Sequence, residues 1–363
     1  MARFVTFGEI MMRMAPPGFL RLQQSLPGAL DVTFAGAEAN VAVSLATLGA
    51  DACFVTALPR NPLADTCVNT LRGLGVDTSG ISRTDAGRLG IYFVEAGANQ
   101  RPSRVTYDRS GSSIGLAVPT SWQWVKLLDG ADALHVTGIT PALSQAAAES
   151  TLQAVQAAAA NNIQVSCDLN YRAKLWDWKP GTDRKQLAGE TMAQILPYVD
   201  VLIANEADCG DVLGIHAGDS DVDSGDVEVT AYPNVARQVA ERFPNIKLIA
   251  TTLRQSISAS HNNWGAMLFD VQTDKAFFAP ESYGVYRPYE IRNIVDRVGG
   301  GDSFAAGLLF ALASDEFSGP QAAIQFASAA SCLAHSVLGD FNFSSRSEVE
   351  ALMGGSGSGR VVR

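Results

Sequence analysis

The segment Asp296-Arg297-Val298-Gly299-Gly300-Gly301-Asp302 sets three consecutive glycines directly before a carboxylate and an apolar helical stretch, Ser303–Ala313. Consecutive glycines let backbone N–H groups converge, and a helix that starts there adds partial positive charge, which together make an anion cradle. A carboxylate in such a cradle can take the proton of a hydroxyl while the amides stabilise charge on a phosphoryl group in transit. The same residues also read as a tight turn with Asp302 as a plain helix N-cap, and the segment alone does not separate the two. A second glycine-bearing turn, Ala35-Gly36-Ala37-Glu38-Ala39-Asn40, precedes another helix. Gly36 permits close approach of a ligand, and the Asn40 amide could hold sugar hydroxyls; a helix cap with a buried Asn is the plainer reading. Neither GxxxxGK[ST] nor GxGxxG occurs, so a P-loop and a dinucleotide fingerprint are both without support. The four histidines (His135, His216, His261, His335) lack metal-ligand spacing, and His135 reads as a core residue of a strand.

The elements that must position these residues alternate. Strands are expected at Phe4–Phe7, Ala52–Thr56, Ala133–Thr137, Gln164–Asp168, Val199–Ala204, Lys247–Thr251, Ala266–Val271 and, leading into the glycines, Ile291–Val295. Helices are expected at Ala39–Leu48, Ala64–Leu74, Ser144–Ala160, Val235–Arg242 and Ser303–Ala313. Strands alternating with helices of 10–15 residues imply βαβ units, a mainly parallel sheet, and ligands at the carboxyl ends of its strands. Two segments break the rhythm. Ala15–Leu30, with its Pro and Gly pairs, reads as loop plus short edge strands, and Arg88–Arg109 alternates with period two like an antiparallel flap, a natural lid. Gly218–Val229 reads as a surface loop, and Gly354–Gly359 has linker composition.

Composition narrows the partners. Against 27 Lys+Arg stand 37 Asp+Glu, a formal charge of −10, and 47% of the 363 residues are hydrophobic. An acidic chain without basic runs is a poor ligand for nucleic acid. No apolar run reaches the ~18 residues of a membrane span, and the N-terminus enters a strand pattern without a signal-peptide core. Five scattered cysteines without CxxC suit buried thiols in a reducing compartment. A soluble cytoplasmic α/β protein is expected.

The two glycine turns together make the chain resemble the ribokinase/PfkB carbohydrate kinases. Ala35–Asn40 matches that family's GGxxxN-type motif, with Ala35 for the first glycine, and Asp296–Asp302 matches its DTxGAGD-type motif, with Arg297-Val298 for the Thr-Thr-like pair. Gly8-Glu9-Ile10-Met11, Gly138–Leu143, Asp168-Leu169-Asn170-Tyr171-Arg172 and Thr252-Leu253-Arg254-Gln255-Ser256 extend the resemblance over the whole chain, and within the family it is most like 2-keto-3-deoxygluconate kinases.

The resemblance implies a ribokinase-like three-layer α/β/α sandwich: one kinase domain over 1–363, with a small β lid at about 10–34 and 86–114. It implies Asp302 as catalytic base, Gly299, Gly300 and Gly301 as anion hole, and ATP with Mg²⁺ as cosubstrate and cofactor. Asn205-Glu206-Ala207-Asp208 matches the NxxE motif that organises Mg²⁺, with Asp208 where Glu is usual; either Glu206 or Asp208 fits, no direct protein ligand is assigned, and on sequence alone a helix N-cap at Asn205 with acidic first-turn residues is the plainer explanation. Arg172, Arg109, Tyr92 and Tyr107 match sugar-acid contact positions beside Gly36 and Asn40, because a keto-deoxy acid needs a planar cation. Asn170, Thr252 and Arg254 fall on the ATP side, with adenine expected near Asn205, Thr252–Arg254 and a helix around Ala327–Ser331. Arg297 is an extra cation, near the phosphates or simply solvated, and Asp340 matches a late position near the site. The expected reaction is phosphorylation of 2-keto-3-deoxygluconate at its 6-hydroxyl. A kinase for fructose or ribose and a non-catalytic sugar-acid-binding protein remain as rivals, and a homodimer through the lid strands is compatible with the chain.

Overall fold

The computed structural model describes residues 1–205, 207–216, 231–317 and 319–355. The stretch Gly218–Val229, Glu206 and most of the Gly/Ser-rich end lie outside the described residues.

A ten-stranded sheet forms the middle layer. Its order is Lys275–Ala279, His261–Asp270, Leu248–Ser258, Val201–Asn205, Gln164–Asp168, Ala133–Thr137, Arg3–Phe7, Asp51–Pro59, Ile81–Thr84, with Tyr289–Arg292 pairing beside His261–Asp270. From Leu248–Ser258 to Ile81–Thr84 every neighbour is parallel; the His261–Asp270 side is antiparallel. The central parallel strands are buried along nearly their whole length, including Thr6, His135 and Ser166 among the apolar residues. Alternate residues feed opposite cores. Phe4, Ala52, Phe54, Val201 and Ile203 pack with the helices Ala37–Leu48, Gly300–Leu312 and Pro320–Ala334. Val5, Phe7, Val55, Leu134 and Leu202 pack with Gln145–Ala160, Arg184–Ile195 and Tyr232–Arg242. The result is a three-layer α/β/α arrangement. The Ser144 side chain accepts the Ala147 amide at 3.1 Å, the N-cap its sequence suggests.

A separate four-stranded sheet, in the order Asp31–Ala35, Met11–Ala15, Gly90–Glu95, Arg104–Asp108, stands at one end of the main sheet. Its Gly90–Glu95 and Arg104–Asp108 strands are antiparallel, as their alternation predicts, and Tyr92 pairs across to Tyr107. Ala15–Leu30 differs from expectation: the strands flank it, and its middle is a helical turn, Leu22–Ser25. The strand expected at Ile291–Val295 ends at Arg292, because Asn293 adopts a left-handed conformation (φ 56°) and turns the chain towards the glycines. The following helix starts at Gly300, so Gly299 is its N-cap and Asp302 lies in its first turn. His135 is buried in its strand against the Ser166 hydroxyl, and burial pulls its imidazole down to about 3. All five cysteines are free, and four are buried. No helix among the described residues is long and apolar enough to cross a membrane.

Candidate active site

At the carboxyl ends of the parallel strands the two sheets face each other across a cleft of about 260 Å³. Every site residue expected from the sequence lines it except Glu206, which is outside the described residues: Gly36, Asn40, Tyr92, Tyr107, Arg109, Asn170, Arg172, Asn205, Asp208, Thr252, Arg254, Gly299, Gly300, Gly301 and Asp302.

The three positions of the glycine loop differ in their steric demands. Gly299 has φ 86°, and a Cβ there would lie 2.2 Å from the Asp340 carbonyl oxygen. At Gly300 a Cβ would meet the His335 ring at 3.0 Å, whereas at Gly301 it would meet nothing. The first two glycines are therefore demanded by packing, and the third leaves the cleft open in front of the helix N-terminus. Ser331 donates to the Gly300 carbonyl at 2.6 Å and holds the loop from behind. The helix around Ala327–Ser331 does not line the cleft: these residues are wholly buried against Gly307 and its neighbours, so the expected adenine contact there is corrected to a supporting role.

Asp302 points from this helix start to Asn40, whose Nδ2 donates to Asp302 Oδ2 at 2.6 Å while its Oδ1 accepts the Gly36 amide at 3.1 Å. Asn40 thus orients the carboxylate and is buried at the helix start, the plainer of the two readings its sequence allows. Burial pushes Asp302 up to about 6; Asn40 and Arg172 oppose the rise and Asp340 adds to it. A carboxylate near neutrality and partly open to the cleft can accept a hydroxyl proton. Behind it, Glu38 is fully buried, accepts from the Thr137 and Thr140 hydroxyls at 2.7 and 2.9 Å, and is pushed by burial up to about 7. Gly36 is fixed by close approach, since a Cβ would lie 2.0 Å from the Glu9 carbonyl oxygen.

The arginines differ in what already holds them. Arg109 is ion-paired with buried Glu9 and lies over the Tyr107 ring, 5.3 Å from its centroid. Arg172 is exposed in the cleft; among the described residues it has no ion-pair partner and one long hydrogen bond, 3.4 Å to the Tyr171 carbonyl. Its charge nevertheless acts on Asp168, Asp208 and Asp302. Arg297 lines the cleft and is half-buried, not simply solvated: one guanidinium nitrogen donates to the Ser258 and Ala259 carbonyls and to Asn262 Oδ1 at 3.1–3.3 Å. Burial, then Arg254, lowers its affinity for the proton. Tyr92 is buried and donates to Asp340 Oδ2 at 2.8 Å, so its hydroxyl is already engaged.

A divalent cation would find hard oxygen ligands. Burial first, then the charges of Asp208 and Asp302, push the Asp168 carboxyl well above its ordinary value, a crowding that a cation would relieve. Asp208 is committed to backbone, accepting the Tyr171 amide at 3.2 Å and the Asn205 amide at 3.1 Å, which suits contact through water. Among the described residues no group of three or more His, Cys, Asp or Glu could enclose a metal alone. The donor chemistry fits Mg²⁺ held jointly with a ligand's oxygens.

Several lining residues escape sequence reasoning: Glu9, Asn262, Trp264 and His335. Asn262 Nδ2, Trp264 Nε1 and Arg297 Nε are buried donors with no partner among the described residues, at the same end of the cleft.

Residues 1–238 match the pfkB family carbohydrate kinase pattern. The chain is 30% identical to a 2-dehydro-3-deoxygalactonokinase of Haloferax volcanii, over 99% of this chain and 98% of that protein. Among solved structures it is similar to a 2-dehydro-3-deoxygluconokinase of Thermotoga maritima (44% identity, TM-score 0.86, 98% of this chain and 100% of the other). A PfkB family carbohydrate kinase of Listeria grayi shows 33% identity and TM-score 0.84 over 97% of this chain and 99% of the other. With the glycine loop, the carboxylate beside it and the three-layer fold already in place, these likenesses settle the classification: the chain belongs to the pfkB family of carbohydrate kinases and is an enzyme of that class.

Proposed function

We propose that this enzyme transfers the γ-phosphate of ATP to the 6-hydroxyl of 2-keto-3-deoxygluconate, with Asp302 as the base. The observation that carries the sugar-acid reading is Arg172, a cleft arginine without an ion-pair partner among the described residues, across from a carboxylate raised to about 6. A substrate carboxylate supplies the partner Arg172 lacks, in the planar geometry guanidinium prefers. The names of the relatives, a 2-dehydro-3-deoxygalactonokinase and a 2-dehydro-3-deoxygluconokinase, support the same acid class. The two acids they name differ at C4, away from both the carboxylate and the reacting hydroxyl.

In this reading Arg172 anchors the carboxylate, and Tyr107 with the apolar part of the small sheet covers the carbon chain. Asn40 holds Asp302 towards the terminal hydroxyl, and Asp302 removes its proton as the new O–P bond forms. The amides of Gly299, Gly300 and Gly301 face the charge that develops on the transferring group. Mg²⁺, when bound near Asp168, Asn170, Asn205 and Asp208, supplies charge that neutralises the phosphate oxygens. Thr252 and Arg254 lie on the nucleotide side. The small sheet over 10–34 and 86–114 acts as a lid that excludes water from one kinase domain spanning 1–363. Positioning and electrostatics supply most of the rate enhancement for such chemistry.

The test is a panel of sugar acids and neutral sugars incubated with ATP, with the product's ester position read by phosphorus–carbon coupling. Turnover of the 2-keto-3-deoxy acid with phosphate on C6 is expected. Turnover confined to fructose or ribose would move the protein to a neutral-sugar kinase, and no ATP consumption on any member would favour a binding protein.

A further inference from the structure

Arg13 lies outside the cleft wall and outside every role so far assigned. It stands in Met11–Ala15, an inner strand of the small sheet, with 4% of its side chain exposed. Its guanidinium spans two carboxylates from distant segments, donating through Nη2 to Asp296 and through Nη1 to Asp340. Burial works against its charge, but Asp340 and Asp296 outweigh that cost and hold it protonated.

Each carboxylate also has a task at the glycine loop. Asp296 Oδ1 accepts the backbone amides of Arg297 at 2.8 Å and Val298 at 3.1 Å, which fixes the two residues ahead of Gly299. Asp340 backs Gly299 with its main-chain carbonyl and takes the Tyr92 hydroxyl on its second oxygen. Val298 packs against Met11, Tyr92 and neighbouring residues of the small sheet. One cation thus joins the small sheet to both sides of the loop, from behind the cleft.

We infer that Arg13 is a positioning residue for phosphoryl transfer, the tie through which the small sheet sets the geometry of Gly299–Gly301. The inference rests on the phosphate role proposed for that loop, not on which sugar is the acceptor. Arg13 acts through Asp296 and Asp340 and does not touch substrate. A lysine cannot replace it, because one ammonium cannot bridge both carboxylates in fork geometry.

The test compares Arg13→Met and Arg13→Lys with wild type in kcat per folded molecule, KM for ATP and acceptor, and amide hydrogen exchange over 297–301. For Arg13→Met, kcat should fall about 100-fold, KM for the acceptor should move less than about threefold, and exchange over 297–301 should accelerate. Arg13→Lys should lie between and carries the test with the same readouts if the Met variant does not fold. The inference is overturned if kcat per folded molecule stays within about threefold of wild type, whatever the melting temperature. It is equally overturned if kcat falls with exchange over 297–301 unchanged. If wild type phosphorylates only a neutral sugar, the sugar-acid reading fails, and Arg13 is judged on that sugar by the same two criteria.

Discussion

The two ends of the cleft are built on opposite principles. At the glycine-loop end the groups offered to a ligand are backbone amides, placed by steric demands at Gly299 and Gly300 and by the Ser331 strut, and none is held by a side chain of the cleft. At the small-sheet end the polar side chains largely hold one another: Arg109 has Glu9, Arg13 has Asp296 and Asp340, and Tyr92 has Asp340. Arg172, which follows the main-sheet strand Gln164–Asp168, has no such partner among the described residues. The difference teaches that counting cations in a pocket overstates its affinity for an acid, since a cation already neutralised must first give up its partner.

The largest expected effect is at the junction of the two ends. Asp302→Asn should lower kcat about 10³-fold while leaving ATP affinity nearly intact, measured by steady-state kinetics and nucleotide titration. Wild-type turnover in this variant would remove the base from the account. The same carboxyl ties rate to pH. Because the ionised form accepts the proton, kcat/KM should rise with pH up to about 6 and level off above it. Stability should run the other way. The folded protein keeps this proton beyond the ordinary carboxyl value of 3.8, so the group's stabilisation is full at acid pH and is lost as pH rises through about 6. Asp302→Asn should therefore be more stable than wild type at pH 8, by on the order of 1–3 kcal/mol in denaturant unfolding, and no more stable than wild type at pH 3.5.

The comparison sharpens within the loop itself. Gly299→Ala must place a Cβ against the Asp340 carbonyl at positive φ and should cost about 3 kcal/mol or more in denaturant unfolding. Gly301→Ala meets no atom, so its stability should stay within about 0.5 kcal/mol. If Gly301→Ala destabilised as much as Gly299→Ala, the loop would not be open towards the cleft as described. At the small-sheet end, Asn40→Ala should reduce kcat/KM about tenfold and move the acidic limb to higher pH, because the Asn40 hydrogen bond favours the ionised Asp302.

How far the sequence discloses this follows the range of the interactions. Glycines before an apolar helix, alternation in Gly90–Glu95 and a Ser N-cap at Ser144 are local signatures, and the structure carries each where the sequence puts it. Helix Arg184–Ile195 is absent from the expected elements because its apolar face is weak, although Asp183 caps it through Lys185 and Gln186. The short antiparallel strands after Asp270 leave too few residues for a pattern. What cannot be read locally is pairing. Arg109 reaches Glu9 across 100 residues and Arg13 reaches Asp340 across 327, whereas Arg172 has no ion-pair partner among the described residues, so arginines of equal appearance in sequence have different freedom in the fold.

That distinction is where the account is most exposed. The direct measurement is the ratio of kcat/KM for 2-keto-3-deoxygluconate to that for a neutral sugar of similar length, in wild type and in Arg172→Leu. The account predicts a large ratio in wild type that falls about 100-fold or more in Arg172→Leu, the cost of leaving a carboxylate without its charged partner. An unchanged ratio would contradict Arg172 as the anchor and return the acid-binding role to the arginine already paired with Glu9.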